Sequence, residues 1–140
     1  MEQYRNRLGF YNCTVPAFEQ LALARFLEEG YFEKHVSRMK RHYRLLRDQL
    51  LQQIGQSSRA ASMTVHGADA GLHFLLRLRT TLPDEELERQ LEQAGVRAVP
   101  LRQYAFLPQN TGGQLVIFYS DLAEADLPRV VSVLEHLADG

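Results

Sequence analysis

The sequence predicts an α/β protein, an α+β sandwich in which two N-terminal helices precede a sheet of three or four strands covered by helices. Three observations predict this fold class. Apolar residues recur at helical spacing over positions 1–55, they alternate as in strands at several places in 56–140, and glycine or proline separates the segments. The 140 residues fit a single subdomain, with a helical arm over 1–55 and a strand and helix part over 56–140.

Two helices are predicted in the arm. The first begins after Thr14 and Pro16, a capping hydroxyl and a residue tolerated in the first helical turn, and it ends at Gly30. The second runs from Tyr31 to Ile54, where apolar residues are separated alternately by four and three positions, and Gly55 is its expected stop. Its apolar stripe consists of Phe32, Val36, Met39, Tyr43, Leu46, Leu50 and Ile54.

Four strands are predicted after the arm. Alternation is weak in Met63–His66 and clear in Leu72–Arg79, where every second residue of LHFLLRLR is apolar and faces the core. Val96–Val99 predicts a short strand stopped by Pro100, and Leu115–Tyr119 is a continuous apolar run typical of a buried strand.

Two further helices complete the predicted order. The Thr-x-x-Asp pattern of Thr81 and Asp84 predicts a capped helix start, and Gly95 is the expected end of that helix. The last helix is predicted from about Ala123 to Leu137, bent or begun anew at Pro128. The order is therefore two helices, two strands, a helix, two strands and a helix.

The composition narrows the class of protein. Hydrophobic residues are 45% and charged residues 24% of the chain, as in globular proteins, and the net charge of -1 gives no overall attraction to nucleic acid or anionic lipid. A single cysteine, Cys13, excludes an internal disulfide and a multi-cysteine metal site. No signal peptide or membrane-spanning run is recognisable, so we expect a cytoplasmic protein.

Several local patterns are weighed as sites. Positions 34–47 hold six Lys and Arg residues and no acid, which indicates a solvated face, with phosphate contact or a protein interface as alternatives. The five histidines show no metal-ligand spacing, so no metal site is predicted. Cys13 has no base nearby in the sequence, and Gly112 with Gly113 predicts a turn rather than a phosphate loop. The residues alone therefore predict no catalytic site.

A long segment resembles a known family. The entry NCTVP-x-FEQ, the centre A-R-F-x-E-x-G-Y-F-E-K-H and the continuation R-M-K-R-x-Y-R resemble the C-terminal part of the MocR/GabR subfamily of GntR-type transcription regulators. The later segments GLHFLLRL, PDEEL, AGVRAVPL and LVIFYSDL fit the same domain in order, so that the resemblance covers residues 4–137. Such proteins join an N-terminal winged helix to a domain like a fold type I aminotransferase, which binds pyridoxal 5'-phosphate.

The resemblance also implies what this chain lacks. In the family, the cofactor is held by a lysine of the large domain, upstream of the matched segment. Lys34 and Lys40 are the chain's two lysines, and both are expected to be surface cations of the second predicted helix. We therefore expect no catalytic residue and no bound cofactor in this chain, with the large domain and the winged helix supplied by a longer parent protein.

Three residues are candidates for an effector pocket. In related aminotransferases, and in some regulators of this subfamily, an arginine near the start of the last core strand clamps the substrate or effector carboxylate, and the matching position here is Val116. Arg102 and Tyr104 lie in a segment that approaches the pocket mouth in the family. The missing arginine favours a regulator over an enzyme.

The resemblance thus implies the C-terminal subdomain of a transcription regulator. It would complete an effector pocket, move against the large domain of its parent, and belong to a homodimer that binds DNA through its winged helix, without a membrane partner. Two alternatives remain: the small domain of a true class I/II aminotransferase, and a free-standing interaction module.

Overall fold

A computed structural model describes residues 15–69, 71–104 and 112–139. The chain divides into two compact units, Met1–Lys40 and Arg41–Gly140. The predictions made for Cys13 and Thr14 lie outside the described residues. Within those residues, no helix has both the length and the apolar character that crossing a membrane requires.

The first unit contains helix α1, Ala17–Glu28, and the start of helix α2, Tyr31–Gln56. Gly30 separates them with a φ of +72°, a left-handed conformation that favours glycine, so the predicted stop is confirmed. The ring of Phe26 is stacked on that of Tyr31, with 6.3 Å between the ring centroids. No residue of α1 is buried.

Helix α2 continues beyond its predicted end. Gly55 was expected to stop it, but the helix runs on to Gln56, and Gly55 has no positive φ. The backbone N–H and the hydroxyl of Ser57 both donate to the carbonyl of Ile54, at 3.2 and 2.7 Å, and so close the last turn. The prediction of Gly55 as the stop is therefore wrong, because glycine also tolerates helical backbone angles.

A four-stranded antiparallel sheet forms the centre of the second unit. Its strands are β1 (Met63–His66), β2 (His73–Leu78), β3 (Ala98–Pro100) and β4 (Gln114–Phe118), in the spatial order β1-β2-β4-β3. Strand β4, the last in the sequence, therefore lies between β2 and β3 in the sheet. Along the chain, a helix connects β2 to β3. The predicted mixed fold of two helices followed by a helix-covered sheet is confirmed.

The sheet buries one of its faces. The alternate residues Phe74, Leu76 and Leu78 of β2 are at most 2% exposed, and their neighbours Leu115 and Ile117 on β4 are fully buried. The same core includes the buried residues of the second half of α2 and of the two later helices. From the helices these residues are Leu46, Leu50, Ile54, Leu87, Leu91, Leu127, Val130, Val131, Leu134 and Leu137.

Helix α3, Asp84–Gln93, starts differently from its prediction. Pro83 is the N-cap and no side chain caps the helix, so the predicted Thr81 cap is wrong. Three acids in the first turn complement the helix dipole instead. Gly95 has a φ of +73° and ends the helix region as predicted.

Two prolines lie at the ends of elements, Pro100 at the end of β3 and Pro128 at the start of the last helix. Pro100 was expected to stop β3 and is its last residue, so the strand ends at this proline, although it begins at Ala98 rather than at the predicted Val96. A proline can pair there because β3 is an edge strand, bonded to β4 on one side. A short 3₁₀ turn, Glu124–Asp126, precedes helix α4, Leu127–Leu137, and Pro128 lies in its first turn. Of the two predicted outcomes, a bend or a new start at Pro128, the structure shows the new start.

Candidate functional site

The face of the sheet that points away from the buried core carries Val116. We call it the open face. Val116 lies in register with Leu75 of β2 on one side and Val99 of β3 on the other, and all three side chains are half-buried. Because side chains alternate along a strand, the open face is shared by Thr64, His66, His73, Leu75, Arg77, Val99, Gln114, Val116 and Phe118. Its centre is apolar, and no acid belongs to it.

One cationic side chain, Arg97, lies at the Phe118 end of the open face. The guanidinium of Arg97 lies 4.8 Å from the centroid of the Phe118 ring, a cation–π distance. The same guanidinium is 3.9 Å from a carboxylate oxygen of Asp121. The ring of His73 also lies beside the Phe118 ring, with 5.7 Å between the two ring centroids. This end of the face therefore combines an aromatic ring with positive charge.

Arg102 lies in a 3₁₀ turn, Leu101–Tyr104, directly after β3. It donates a hydrogen bond to the carboxylate of Glu85, and its Nε is 3.4 Å from a carboxylate oxygen of Asp84. The pKa of Glu85 is lowered, first by its own backbone N–H and then by Arg102. The hydrogen bond to Glu85 in turn raises the pKa of Arg102. This candidate is therefore already paired with the start of α3.

The sequence predicted Asp84 as part of a helix cap but did not reveal its contact with the turn before β4. Its side chain is 7% exposed, and its Oδ1 accepts the backbone N–H of Gly113 at 3.0 Å. Gly113 has a φ of +72°, and a Cβ there would lie 2.3 Å from the carbonyl oxygen of Leu78. Asp84 thus fixes the turn that leads into β4 while its other oxygen faces Arg102. No local pattern relates Asp84 to Gly113, because 29 positions separate them.

Tyr104, the third candidate, is 57% exposed at the end of its 3₁₀ turn. Among the described residues, no hydrogen bond, ion pair or ring contact joins its side chain to Arg102 or Val116. Arg102 follows β3, and Val116 lies on β4 beside that strand. The structure therefore places Arg102 and Tyr104 on one turn, and the strand that precedes this turn pairs with the strand of Val116.

The basic stretch of α2 is mainly a solvated surface. Both lysines are exposed, and Lys34 Nζ is 5.6 Å from the ring centroid of Tyr31. Arg47 differs, since it donates to the carbonyl of Ala68 at 3.0 Å and forms an ion pair with Asp48. Its hydrogen bond to Asp48 raises the pKa of Arg47. One cation of the stretch is thus structural.

Tyr119, directly after β4, is a second residue whose role the sequence did not reveal. Its hydroxyl donates to the carbonyl of Gly71 at 2.7 Å, and its side chain is 2% exposed. Burial raises the pKa of Tyr119. It therefore ties the end of β4 to the connection before β2. Among the described residues, no group of three or more His, Cys, Asp or Glu side chains is arranged to hold a metal ion.

Two solved aminotransferases share this fold. The methionine aminotransferase YbdL of Escherichia coli is 25% identical with a TM-score of 0.64, and covers 84% of this chain and 30% of its own. The α-aminoadipate aminotransferase LysN of Thermus thermophilus is 21% identical with a TM-score of 0.66, over 87% of this chain and 32% of its own. The fold class is thus that of part of an aminotransferase.

Comparison of the sequence with known proteins finds relatives among transcription regulators. The chain is 34% identical over 91% of its length to YhdI, an HTH-type transcriptional regulator of Bacillus subtilis, and 36% identical over 69% to MocR, a probable rhizopine catabolism regulatory protein of Rhizobium meliloti. It spans only 27% and 20% of these two relatives. No protein-family model matches it. The chain is homologous to the MocR-type HTH regulators and corresponds to the C-terminal subdomain of their aminotransferase-like part.

Proposed function

We propose that residues 1–140 form one subdomain that completes the effector pocket of a MocR-type regulator and moves against the large domain of its parent. The observation that carries the proposal is the homology to HTH-type regulators over 91% of the chain, combined with an aminotransferase fold. An effector would act by binding one arrangement of the two domains more tightly than the other. The open face, with Val116 at its centre, is the surface that we assign to the pocket.

The chain's own residues do not fit the cofactor of the related aminotransferases. Pyridoxal phosphate needs a lysine in a pocket that lowers its pKa. Lys34 and Lys40, the chain's two lysines, are both exposed on α2. We therefore assign the cofactor to the large domain of the parent and no catalytic role to this chain. DNA binding through an N-terminal winged helix, a homodimer and a cytoplasmic location belong to the same proposal.

The three pocket candidates take different roles in this proposal. Val116 offers the effector an apolar contact where an aminotransferase would offer an arginine, so a carboxylate held by a guanidinium is not expected at that position. Arg102 reaches an effector only by giving up part of its pairing with Glu85 and Asp84. Tyr104, which is exposed, contacts the effector from the pocket mouth.

A titration with pyridoxal phosphate tests the absence of a cofactor site. We expect the purified chain to show no saturable aldimine absorbance, and borohydride treatment to leave no stoichiometric label. Lys34→Ala and Lys40→Ala, which each remove one of the two lysines, show which lysine carries any weak label. A stoichiometric band that borohydride fixes, and that one of these variants abolishes, would overturn the assignment to the parent's large domain.

The pocket assignment is tested in the full-length parent. Val116→Arg introduces a guanidinium on the open face and should alter the affinity for carboxylate effectors about tenfold. Gln52→Arg, which adds the same group at an exposed position of α2 away from the sheet face, is the control. An unchanged affinity in Val116→Arg, or the same change in both variants, would contradict the placement of the pocket.

A further inference from the structure

We propose that a concave surface beside the apolar centre of the open face binds the phosphate group of a small phosphate monoester. We call it the arginine cleft. It is lined by Ser62, Thr64, Arg77, Arg79, Thr80 and Gly112. These residues come from β1 and the 3₁₀ turn before it, from the end of β2 and the segment after it, and from the turn before β4. Gly112 lies in the Gly-Gly pair that predicts a turn rather than a phosphate loop, and the sequence offers no site signal at the other five.

Strand geometry directs both guanidiniums to the same side of the sheet. Arg77 and Arg79 are two residues apart, so their Cα atoms are separated by about 7 Å on one face of the strand. Pairing continues past the end of β2, because the N–H of Arg79 donates to the carbonyl of Ser62 at 2.8 Å. Thr64 lies in register with Arg77 on the neighbouring strand. Two cations and a hydroxyl therefore face one concave surface.

The charge of the arginine cleft is uncompensated within the described residues. Neither Arg77 nor Arg79 forms an ion pair or a side-chain hydrogen bond there, and both are exposed. No acid of the described residues lines the cleft. By contrast, Arg89 and Arg129 on the helices each pair with a carboxylate three residues away. The two strand arginines are therefore available to a ligand.

Two of the three hydroxyl groups that line the cleft can still donate a hydrogen bond to a ligand. The Ser62 hydroxyl donates to the carbonyl of Asp139 at 2.9 Å and is thereby occupied. The Thr80 hydroxyl oxygen accepts the N–H of Leu82 at 3.2 Å, which leaves its own proton to donate. Thr64 is exposed and has no side-chain partner among the described residues. Two hydroxyls thus accompany the guanidiniums.

This donor set matches a phosphate monoester better than a carboxylate. A planar carboxylate is satisfied by one guanidinium fork, whereas a phosphate has three terminal oxygens and close to two negative charges at neutral pH. Two guanidiniums with two hydroxyls supply donors from several directions to such a tetrahedral group. The chemistry of the cleft therefore selects phosphate.

The arginine cleft shares Thr64 and Arg77 with the open face but contains none of the three pocket candidates. Arg77 is paired with Gln114, two positions from Val116 on β4, so the cleft borders the apolar centre of the same face. A ligand with a phosphate group and an apolar part would contact both. The phosphate site stands even if the pocket around Val116 is assigned wrongly, since it rests on Arg77 and Arg79.

Binding of inorganic phosphate to the 140-residue chain tests the proposal. Ionic strength is held constant with chloride, so that general screening is the same throughout. We expect saturable 1:1 binding, seen by calorimetry and by shifts of the Thr64 and Thr80 amide resonances. Arg77→Gln and Arg79→Gln should each weaken binding about tenfold, the loss expected when one charge-assisted pair is removed.

Arg41→Gln is the matched control, because it removes the same charge from the exposed basic stretch of α2. It should leave phosphate affinity unchanged, and circular dichroism should show that all three variants remain folded. The proposal is overturned if binding does not saturate, if Arg41→Gln weakens it as much as the cleft variants do, or if acetate binds as tightly as phosphate.

Discussion

The two compact units use their apolar side chains in opposite ways. In the described part of Met1–Lys40, Phe18 and Leu21 of α1 are 71% and 69% exposed. In Arg41–Gly140, Phe74 and Leu76 on β2 are 1% and 0% exposed. Burial of a large apolar side chain contributes about 1.5–3 kcal/mol. The second unit therefore has a core of its own, whereas α1 presents its apolar residues as a surface, which in our proposal packs on the large domain of the parent.

The largest effect is expected from Phe74→Ala in the core of the second unit. The substitution removes a ring that is stacked near Tyr119, at 6.2 Å between centroids, and leaves a cavity. We expect the free energy of unfolding to fall by about 3–5 kcal/mol. Urea denaturation followed by circular dichroism measures it, and a loss below about 1 kcal/mol would show that this core does not determine the stability.

Gly113→Ala should have the next largest effect. An alanine at a φ of +72° is strained, and its Cβ would meet the carbonyl oxygen of Leu78. We expect a loss of roughly 2–3 kcal/mol in the free energy of unfolding. Gly67→Ala is the matched control, since Gly67 has a φ of +68° and no atom within 4 Å of the added Cβ. It should lose only about 1 kcal/mol. Equal losses would contradict the close approach at Gly113.

A smaller, pH-dependent effect is expected from Asp126→Asn at the start of α4. The backbone N–H of Ala123 and then Arg129 lower the pKa of Asp126. A lowered carboxyl pKa stabilises the folded state above the ordinary value of about 4, and this stabilisation is lost as the pH falls through the folded pKa. The stability difference between wild type and variant should therefore be full at pH 6 and shrink below about pH 4. A constant difference over that range would contradict this cause.

The smallest effect on folding is expected from Phe26→Ala in α1, which makes the same chemical change as Phe74→Ala. Phe26 is 38% exposed, so the free energy of unfolding of the second unit should change by less than about 0.5 kcal/mol. Self-association of the chain, measured by sedimentation, should decrease because exposed apolar surface is removed. A destabilisation as large as that of Phe74→Ala would remove the contrast between the two units.

Local patterns predicted most of the secondary structure. The alternation of LHFLLRLR gave β2 to within one residue at each end, and Gly30 and Gly95 both adopt the positive φ expected after a helix. The error at Gly55 has a simple cause. A glycine permits a helix to end without requiring it, and the hydrogen bonds of the last turn decide whether the helix continues. At Pro100, by contrast, the strand ends as predicted.

Much less of the candidate site could be predicted. The LRLR alternation already places Arg77 and Arg79 on one face of a strand. Their freedom from ion pairs, however, depends on which segments pack around β2. Likewise, the pairing of Arg102 with Glu85 joins residues 17 positions apart, and no periodic pattern specifies that contact.

The sequence by itself determined the order of the elements, the apolar faces of the helices and strands, and the resemblance to MocR-type regulators, because these depend on spacing and residue type along the chain. The tertiary structure alone decided that β4 inserts between β2 and β3. That insertion puts Val116 at the centre of the open face and brings the turn at Gly112 to Arg77 and Arg79. Strand pairing over long sequence distances is set by the packing of the whole core, which no local segment encodes.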